Sequence, residues 1–409
     1  MTSTTGTAPP AGAPGTATGR LAAVDALRGF ALFGILIVNI TYLASAHHGT
    51  GVEDPGFDGP VDHAVRALVA MFFEAKFFLL FSFLFGYGFT LQLASAARAR
   101  ARFAPRFLRR LAGLFLLGVA HAVLLFPGDI LTTYAVLGLV LLALRRIAPR
   151  TAVRLAVALL TVTAAAFALL AMALRAAGGG GPDRAAAAAE GAAATDALRG
   201  DAASVVAAHL EQLPDVVLML VFFQAPAALA AFLLGLAAGK HRALDGIAPH
   251  TRVLKRLQVW GFTVGLGGGA VYAHAASTRP GSAYHLLAVG VDVVTAPLLA
   301  AAYAATVLRL AHGPRARTVT AALAPAGRMT LTNYLTQSLV CALLFTGYGA
   351  GLVGRVPPAG VAGVAVALFT VQAVACRWWL ARHPYGPVEW VLRAWTNLAR
   401  PAWRRTGAR

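Results

Sequence analysis

Apolar residues run through this chain in long blocks separated by short polar connections, from about Ala26 to Leu380. At 1.5 Å per residue, a helix of about 20 such residues crosses a hydrocarbon core of roughly 30 Å. The pattern predicts an all-α polytopic membrane bundle of about ten transmembrane helices. The predicted spans lie near residues 26–46, in the second part of 64–97, and at 107–126 and 130–144. A fifth follows, rich in Ala, Leu and Val, and then 216–238, 257–276, 284–310, 329–346 and 358–380. As a single helix the block 64–97 would measure roughly 50 Å, too long for one span. A break is therefore expected near Glu74 and Lys76, with an interfacial helix before it and a span after it.

Charge orients this pattern. Arg98 to Arg110, Arg145 to Arg154, Lys240 to Arg256 and Arg309 to Arg328 place basic clusters in alternate connections, whereas 47–63 holds Glu53, Asp54, Asp58 and Asp62 without a Lys or Arg. This is the positive-inside bias, and it predicts cytoplasmic N- and C-termini. It also accounts for most of the net charge of +19 without a nucleic-acid partner. With 58% hydrophobic and 12% charged residues, the lipid bilayer is the main solvent. Cys341 and Cys376 lie inside apolar blocks, so neither a disulfide framework nor a metal site is expected.

The expected organisation is a disordered cytoplasmic tail (1–20), a first membrane half (21–176), an Ala/Gly-rich extracytoplasmic loop (177–214), a second half (215–381) and a basic cytoplasmic tail (382–409). The Ala-rich loop is expected to be poorly ordered, with a surface helix of little chemical content.

Ionisable residues inside spans are costly unless paired or hydrated, which singles out a short set. Asp25 and Arg28, at i and i+3, form either an ion pair or part of a ligand site. Glu74 and Lys76 cannot share a helix face, so each needs a partner elsewhere, and Lys76 is a candidate binding residue. His121 lies close in sequence to Asp129 and Tyr134. A near-neutral imidazole oriented by a carboxylate suits proton abstraction from an alcohol or amine, although a helix-joining histidine fits equally. Asn333 and Gln337 stack at i and i+4, either joining helices or lining a cavity. Asn39, Gln224 and Asp292 are further polar points within spans, and His47, His48 and His63 read as solvated loop residues.

The runs Val24-Asp25-Ala26-Leu27-Arg28-Gly29-Phe30, Lys76-Phe77 and Leu80-Phe81-Ser82-Phe83-Leu84-Phe85-Gly86 resemble the YeiB-like family of bacterial membrane proteins (domain of unknown function 418). So do His121-Ala122, Gly128-Asp129-Ile130-Leu131 and Tyr134-Ala135, and later Gly327-Arg328-Met329, Thr332-Asn333-Tyr334, Gln337-Ser338 and Tyr385-Gly386-Pro387-Val388-Glu389-Trp390. The Asp-x-x-Arg-Gly opening is also similar to that of transmembrane acyltransferases such as the lysosomal heparan glucosaminide acetyltransferase. That enzyme's histidine after the opening span has no clear match here.

The resemblance implies a multi-pass protein of the bacterial plasma membrane. It would pass an acyl group from cytosolic acetyl-CoA or another acyl-CoA to a hydroxyl or amine of a small-molecule or glycan acceptor outside. No resident cofactor is expected. His121 would be the base, oriented by Asp129, while Arg28, Lys76, Arg109 and Arg110 would hold coenzyme A phosphates, and Asn39, Tyr134, Asn333 and Gln337 would contact substrate. The alternative is a transporter or lipid-handling protein in which the same residues line a path without covalent chemistry.

Overall fold

The computed structural model describes residues 14–48, 52, 54–100, 102–178, 183–244 and 251–405. Among them the chain is helical, with no strand. In order the helices are α1 (Pro14–Ala44), α2 (Pro60–Phe72), α3 (Lys76–Arg98), α4 (Phe103–Leu124), α5 (Leu131–Ala143), α6 (Pro149–Ala176), α7 (Arg184–Arg199) and α8 (Ala202–Met219). There follow α9 (Ala225–Lys240), α10 (Thr251–Thr278), α11 (Ala283–His312), α12 (Ala316–Arg328), α13 (Thr330–Phe345), α14 (Pro358–Arg382) and α15 (Pro387–Asn397).

Among the described residues, seven helical stretches are long and apolar enough to cross a membrane: Ala22–Ala44, Pro60–Arg98, Phe103–Leu124, Pro149–Ala176, Ala202–Lys240, Ala283–His312 and Pro358–Arg382. The other three expected spans exist as helices but fall short of that standard. With 13 and 16 residues, α5 and α13 are too short. The glycine-rich α10 is long enough at 28 residues but too weakly apolar.

The break expected near Glu74 and Lys76 separates α2 from α3. Ala75 carries it at φ 63°, a conformation costly for a residue with a Cβ. Two other expectations need correction. The Ala-rich stretch is ordered: residues 179–182 lie outside the described set, but Asp183 caps α7 through Ala185 and Ala186, and Asp201 caps α8 through Ser204. Alanine's helix propensity and two N-caps outweigh the missing apolar period. A π-helical turn at Leu220–Gln224 then joins α8 to α9, so the sixth expected span is the second half of a longer helical rod.

The expected tails are also partly helical. Residues 1–13 and 406–409 lie outside the described set, but α1 starts at Pro14, with proline's preset φ suited to a helix start. At the other end α15 folds back onto α4, where Leu392 is buried and Trp395 Nε1 donates to the Arg109 carbonyl at 2.7 Å.

α1 runs through the middle of the bundle, packed on α3, α11, α12, α13 and α14. Its crossing with α12 is the tightest. A Cβ on Gly327 would stand 1.7 Å from the Asp25 carbonyl oxygen, and one on Gly29 would stand 2.1 Å from that of Leu323. Only paired glycines let these two backbones meet, and the meeting sets Asp25, Arg28 and Arg328 side by side.

Candidate functional site

Two cavities open at opposite ends of α1. The first, of about 620 Å³, is walled by the start of α1, the end of α3, the start of α4 and the connection from α12 into α13, with α15 beneath. Five arginines line it, Arg28, Arg106, Arg110, Arg328 and Arg393, against two carboxylates, Asp25 and Glu389. Both carboxylates are engaged. Asp25 Oδ1 accepts from Arg28 Nη1 at 3.0 Å, and Glu389 accepts from the Leu331 and Thr332 amides at 2.7 and 3.1 Å, capping the free N–H groups of α13. Arg110 Nε is buried without a hydrogen-bond partner. An electropositive cavity with an unsatisfied guanidinium N–H is suited to an anionic ligand.

Not every cation expected to hold phosphates is here. Arg28 and Arg110 line the cavity, whereas Arg109 turns to the Thr396 carbonyl at 2.9 Å and fixes α15. Lys76 is elsewhere and fully buried, with Nζ 3.0 Å from Asp292 Oδ1 on α11 and donating to the Ala70 carbonyl. It is therefore part of an interhelical ion pair and reaches neither His121 nor the arginines.

At its deep end the arginine-lined cavity reaches Ile130, Tyr134 and Tyr334. Behind them lie His121 and Asp129, at 2% and 1% exposure. The sequence places them together through a short turn: α4 closes with the Leu125 and Phe126 amides on the His121 carbonyl, and Pro127-Gly128-Asp129 leads directly into α5. Asp129 Oδ2 accepts the free amide of Thr132 at 2.8 Å, which anchors the carboxylate at the helix start. Its Oδ1 stands 3.0 Å from His121 Nδ1, out of line for a hydrogen bond. The fit is close, since a Cβ on Gly118 would be 2.6 Å from Asp129 Oδ2. On the far side of the imidazole, Nε2 is 2.8 Å from Ser338 Oγ on α13. Tyr334, one turn before Ser338, lays its ring 4.9 Å from that of His121.

Tyr134 faces this cavity too, its hydroxyl 2.6 Å from Ser82 Oγ. Asn333 and Gln337 do not. Asn333 Nδ2 donates to the Ala326 carbonyl and contacts Cys376, and Gln337 donates to Gln372 Oε1 at 2.8 Å, so both tie α13 to its neighbours. Asn39, half-buried on α1, lines neither cavity.

The second cavity, of about 600 Å³, lies at the Ala44 end of α1, among α2, the end of α10 and the starts of α11 and α14. Sequence reasoning treated its histidines as solvated loop residues. Instead His48 Nε2 lies 3.7 Å from Glu74 Oε1, Tyr272 donates to Glu74 Oε2 at 2.7 Å, and His47 is buried beside Asp54. Burial pushes the His48 imidazole below its ordinary pKa, opposed by Glu74 and assisted by Arg66. Tyr272 also links this cavity to the ion pair, with Lys76 Nζ 5.5 Å from its ring centre. His63 pairs with Asp58 at 3.0 Å and is outside this cavity. The one signal for this cluster in the sequence was Glu74, a carboxylate inside an apolar block.

The family model described as protein of unknown function (DUF418) matches residues 238–399, from the end of α9 through α15. A Bacillus subtilis protein described as uncharacterized protein YxaH is 34% identical over 392 residues, covering 93% of this chain and 95% of that protein. An uncharacterized 39.9 kDa protein in the amylase 3' region of Bacillus acidopullulyticus is 28% identical over 389 residues, covering 92% of this chain and 94% of its own. No solved structure matches. Likeness over nearly the whole length to one relative, and the matched C-terminal signature that carries α13 and α15, place this chain in the DUF418 family of helical membrane proteins.

Proposed function

We propose that this protein is a multi-pass acyltransferase of the bacterial plasma membrane. It takes an acyl group from a cytoplasmic acyl-CoA and delivers it to a hydroxyl or amine presented from the extracytoplasmic side. The observation that carries the reading is the His121–Asp129 pair, 3.0 Å apart and directly behind the deep wall of a cavity lined by five arginines. Positive-inside reasoning puts the arginine-lined cavity in the cytoplasm and the histidine-lined cavity outside. A cavity of about 620 Å³ is within the range of cofactor sites, and its arginines suit the phosphates of coenzyme A. Arg110, with its unpartnered Nε, is the strongest phosphate ligand among them. His121 then acts as general base, with Asp129 holding the proton on Nδ1 so that Nε2 carries the lone pair.

A second reading rests on one observation, the fully buried Lys76–Asp292 pair adjoining Tyr272 and the outer cavity. Buried intramembrane ion pairs also serve proton-coupled transport, in which the polar groups line a path and no bond is made.

The test is acetyl-CoA consumption by the purified full chain, with and without small alcohol or amine acceptors. Slow thioester cleavage, lost in His121→Ala while that variant elutes as one folded species, supports acyl transfer. Substrate flux into proteoliposomes with no thioester consumption supports transport and overturns the acyltransferase reading.

A further inference from the structure

We propose that Ser338 is the nucleophile of this site, carrying the acyl group as a serine ester between donor and acceptor; the proposal rests on the acyltransferase reading. Ser338 Oγ, His121 Nε2, His121 Nδ1 and Asp129 Oδ1 lie in series, with separations of 2.8 Å and 3.0 Å at the two links. Hydroxyl, imidazole and carboxylate stand in the order of the relay that activates a serine, which is independent of order along the chain; the first link is a hydrogen bond and the second a 3.0 Å contact out of line for one. The three groups come from α13, α4 and the turn before α5, with His121 and Ser338 217 positions apart.

Ser338 differs from Thr336 on its helix and from Thr346 just past the helix end, whereas Thr332 Oγ1, like Ser338, leaves the helix and donates to Glu389 on α15. Thr336 Oγ1 returns to the Thr332 carbonyl at 2.7 Å and Thr346 Oγ1 to that of Ala342 at 2.8 Å, the usual fate of hydroxyls in helices. The Ser338 hydroxyl is directed across the helix interface onto the imidazole instead. In this proposal the ring proton is on Nδ1, 3.0 Å from Asp129 Oδ1, with a small turn of the ring bringing the two into line, so that Nε2 accepts from the Ser338 hydroxyl. Tyr334, one turn nearer the cavity, both lines it and packs on His121; Ser338 and His121, at 3% and 2% exposure, line neither cavity, so the Tyr334 ring must turn aside for a thioester to reach Ser338.

The step balances without a further reagent. Ser338 Oγ attacks the thioester carbonyl as its proton passes to His121 Nε2. The C–S bond breaks, and the departing thiolate takes that proton and leaves as coenzyme A thiol. In the second half the acceptor's hydroxyl or amine attacks the serine ester, its proton passes to Nε2, and the C–O bond breaks as Ser338 Oγ recovers the proton. A serine-borne intermediate also lets donor and acceptor approach at different times and from different sides.

The experiment has two arms on the detergent-purified full chain. The first incubates it with acetyl-labelled acetyl-CoA, denatures it, and maps retained label. The expected result is label on the peptide containing Ser338, stable to neutral hydroxylamine and released by alkaline hydroxylamine. Ser338→Cys should turn it into a thioester released at neutral pH, and Ser338→Ala should abolish it and lower turnover by roughly a thousandfold or more. The second arm treats the chain with a fluorophosphonate probe, expected to label Ser338 in the wild type and not in His121→Ala. Acetyl-CoA consumption that continues in Ser338→Ala, with no label and no probe adduct, overturns the proposal and leaves direct acyl transfer. Fluorophosphonate labelling of Ser338 with no acetyl-CoA consumption keeps the activated serine but overturns the acyl-CoA reading. A Ser338→Ala variant that only melts lower, with turnover intact, makes the hydroxyl a structural bond and also overturns the proposal.

Discussion

Removing one member of the Lys76–Asp292 pair should damage this protein more than removing both. The two side chains are 0% and 5% exposed, with Nζ and Oδ1 3.0 Å apart. At an effective dielectric near 20 their attraction is about 5 kcal/mol, which roughly offsets the several kcal/mol that each ion loses on leaving water. The pair is therefore close to neutral as a whole, but each half alone is an uncompensated buried charge. Lys76→Met or Asp292→Leu should each cost about 3–5 kcal/mol, whereas the double variant should recover most of that loss. At about 2 °C per kcal/mol for a long chain, each single variant should melt roughly 6–10 °C lower. The assay is thermal unfolding of the purified chain followed by size-exclusion fluorescence, with thioester consumption measured on the same samples. A single variant that melts with the wild type, or a double variant no better than the singles, would show that the two charges do not compensate each other. A double variant that is stable and active makes the pair structural, and one that is stable but inert gives it a part in function.

Gly327→Leu places a side chain where even a Cβ would be 1.7 Å from the Asp25 carbonyl, and should lower the yield of folded protein and its melting temperature, at a cost above about 2 kcal/mol. Yield and melting equal to wild type would show that the α1–α12 crossing can separate freely. Asp129→Asn keeps an acceptor for the Thr132 amide, so the fold should hold, but it reverses the imidazole tautomer and should reduce turnover by about 10⁴. Activity within tenfold of wild type would remove Asp129 from the relay. Burial holds the folded His48 pKa below the ordinary 6.5, so the unfolded chain takes up the proton first on acidification. Stability from neutral His48 is complete above about pH 6.5 and falls as pH drops toward the lower folded value. The melting advantage of wild type over His48→Gln should therefore shrink from pH 7 to pH 5, and a constant difference would contradict it.

The sequence made legible what local chemistry governs. Two opposite charges two residues apart in an apolar block announced the break that Ala75 makes. The three-residue link Pro127-Gly128-Asp129 left Asp129 little choice but to meet His121. Contacts between distant residues were not legible. Lys76 gave no sign that its partner is Asp292, 216 positions away, and Ser338 looked like any small polar residue on a helix face. The histidine-lined cavity was missed for the same reason, because the end of α1, the break between α2 and α3, and α10 must converge before His48 and Tyr272 meet Glu74. The Ala-rich stretch misled differently. Its composition suggested a poorly ordered loop with one surface helix, yet alanine needs only a cap to form a helix, and Asp183 and Asp201 cap two.

Binding of an acyl-CoA in the arginine-lined cavity is measured by calorimetric titration of coenzyme A and acetyl-CoA into the purified chain, with Arg28→Ala, Arg110→Ala and Arg109→Ala in parallel. Binding should be micromolar, weaken about ten- to a hundredfold in Arg28→Ala and Arg110→Ala, the loss expected for one charge-assisted hydrogen bond, and change little in Arg109→Ala. No heat from either ligand, or equal binding in all three variants, would contradict it.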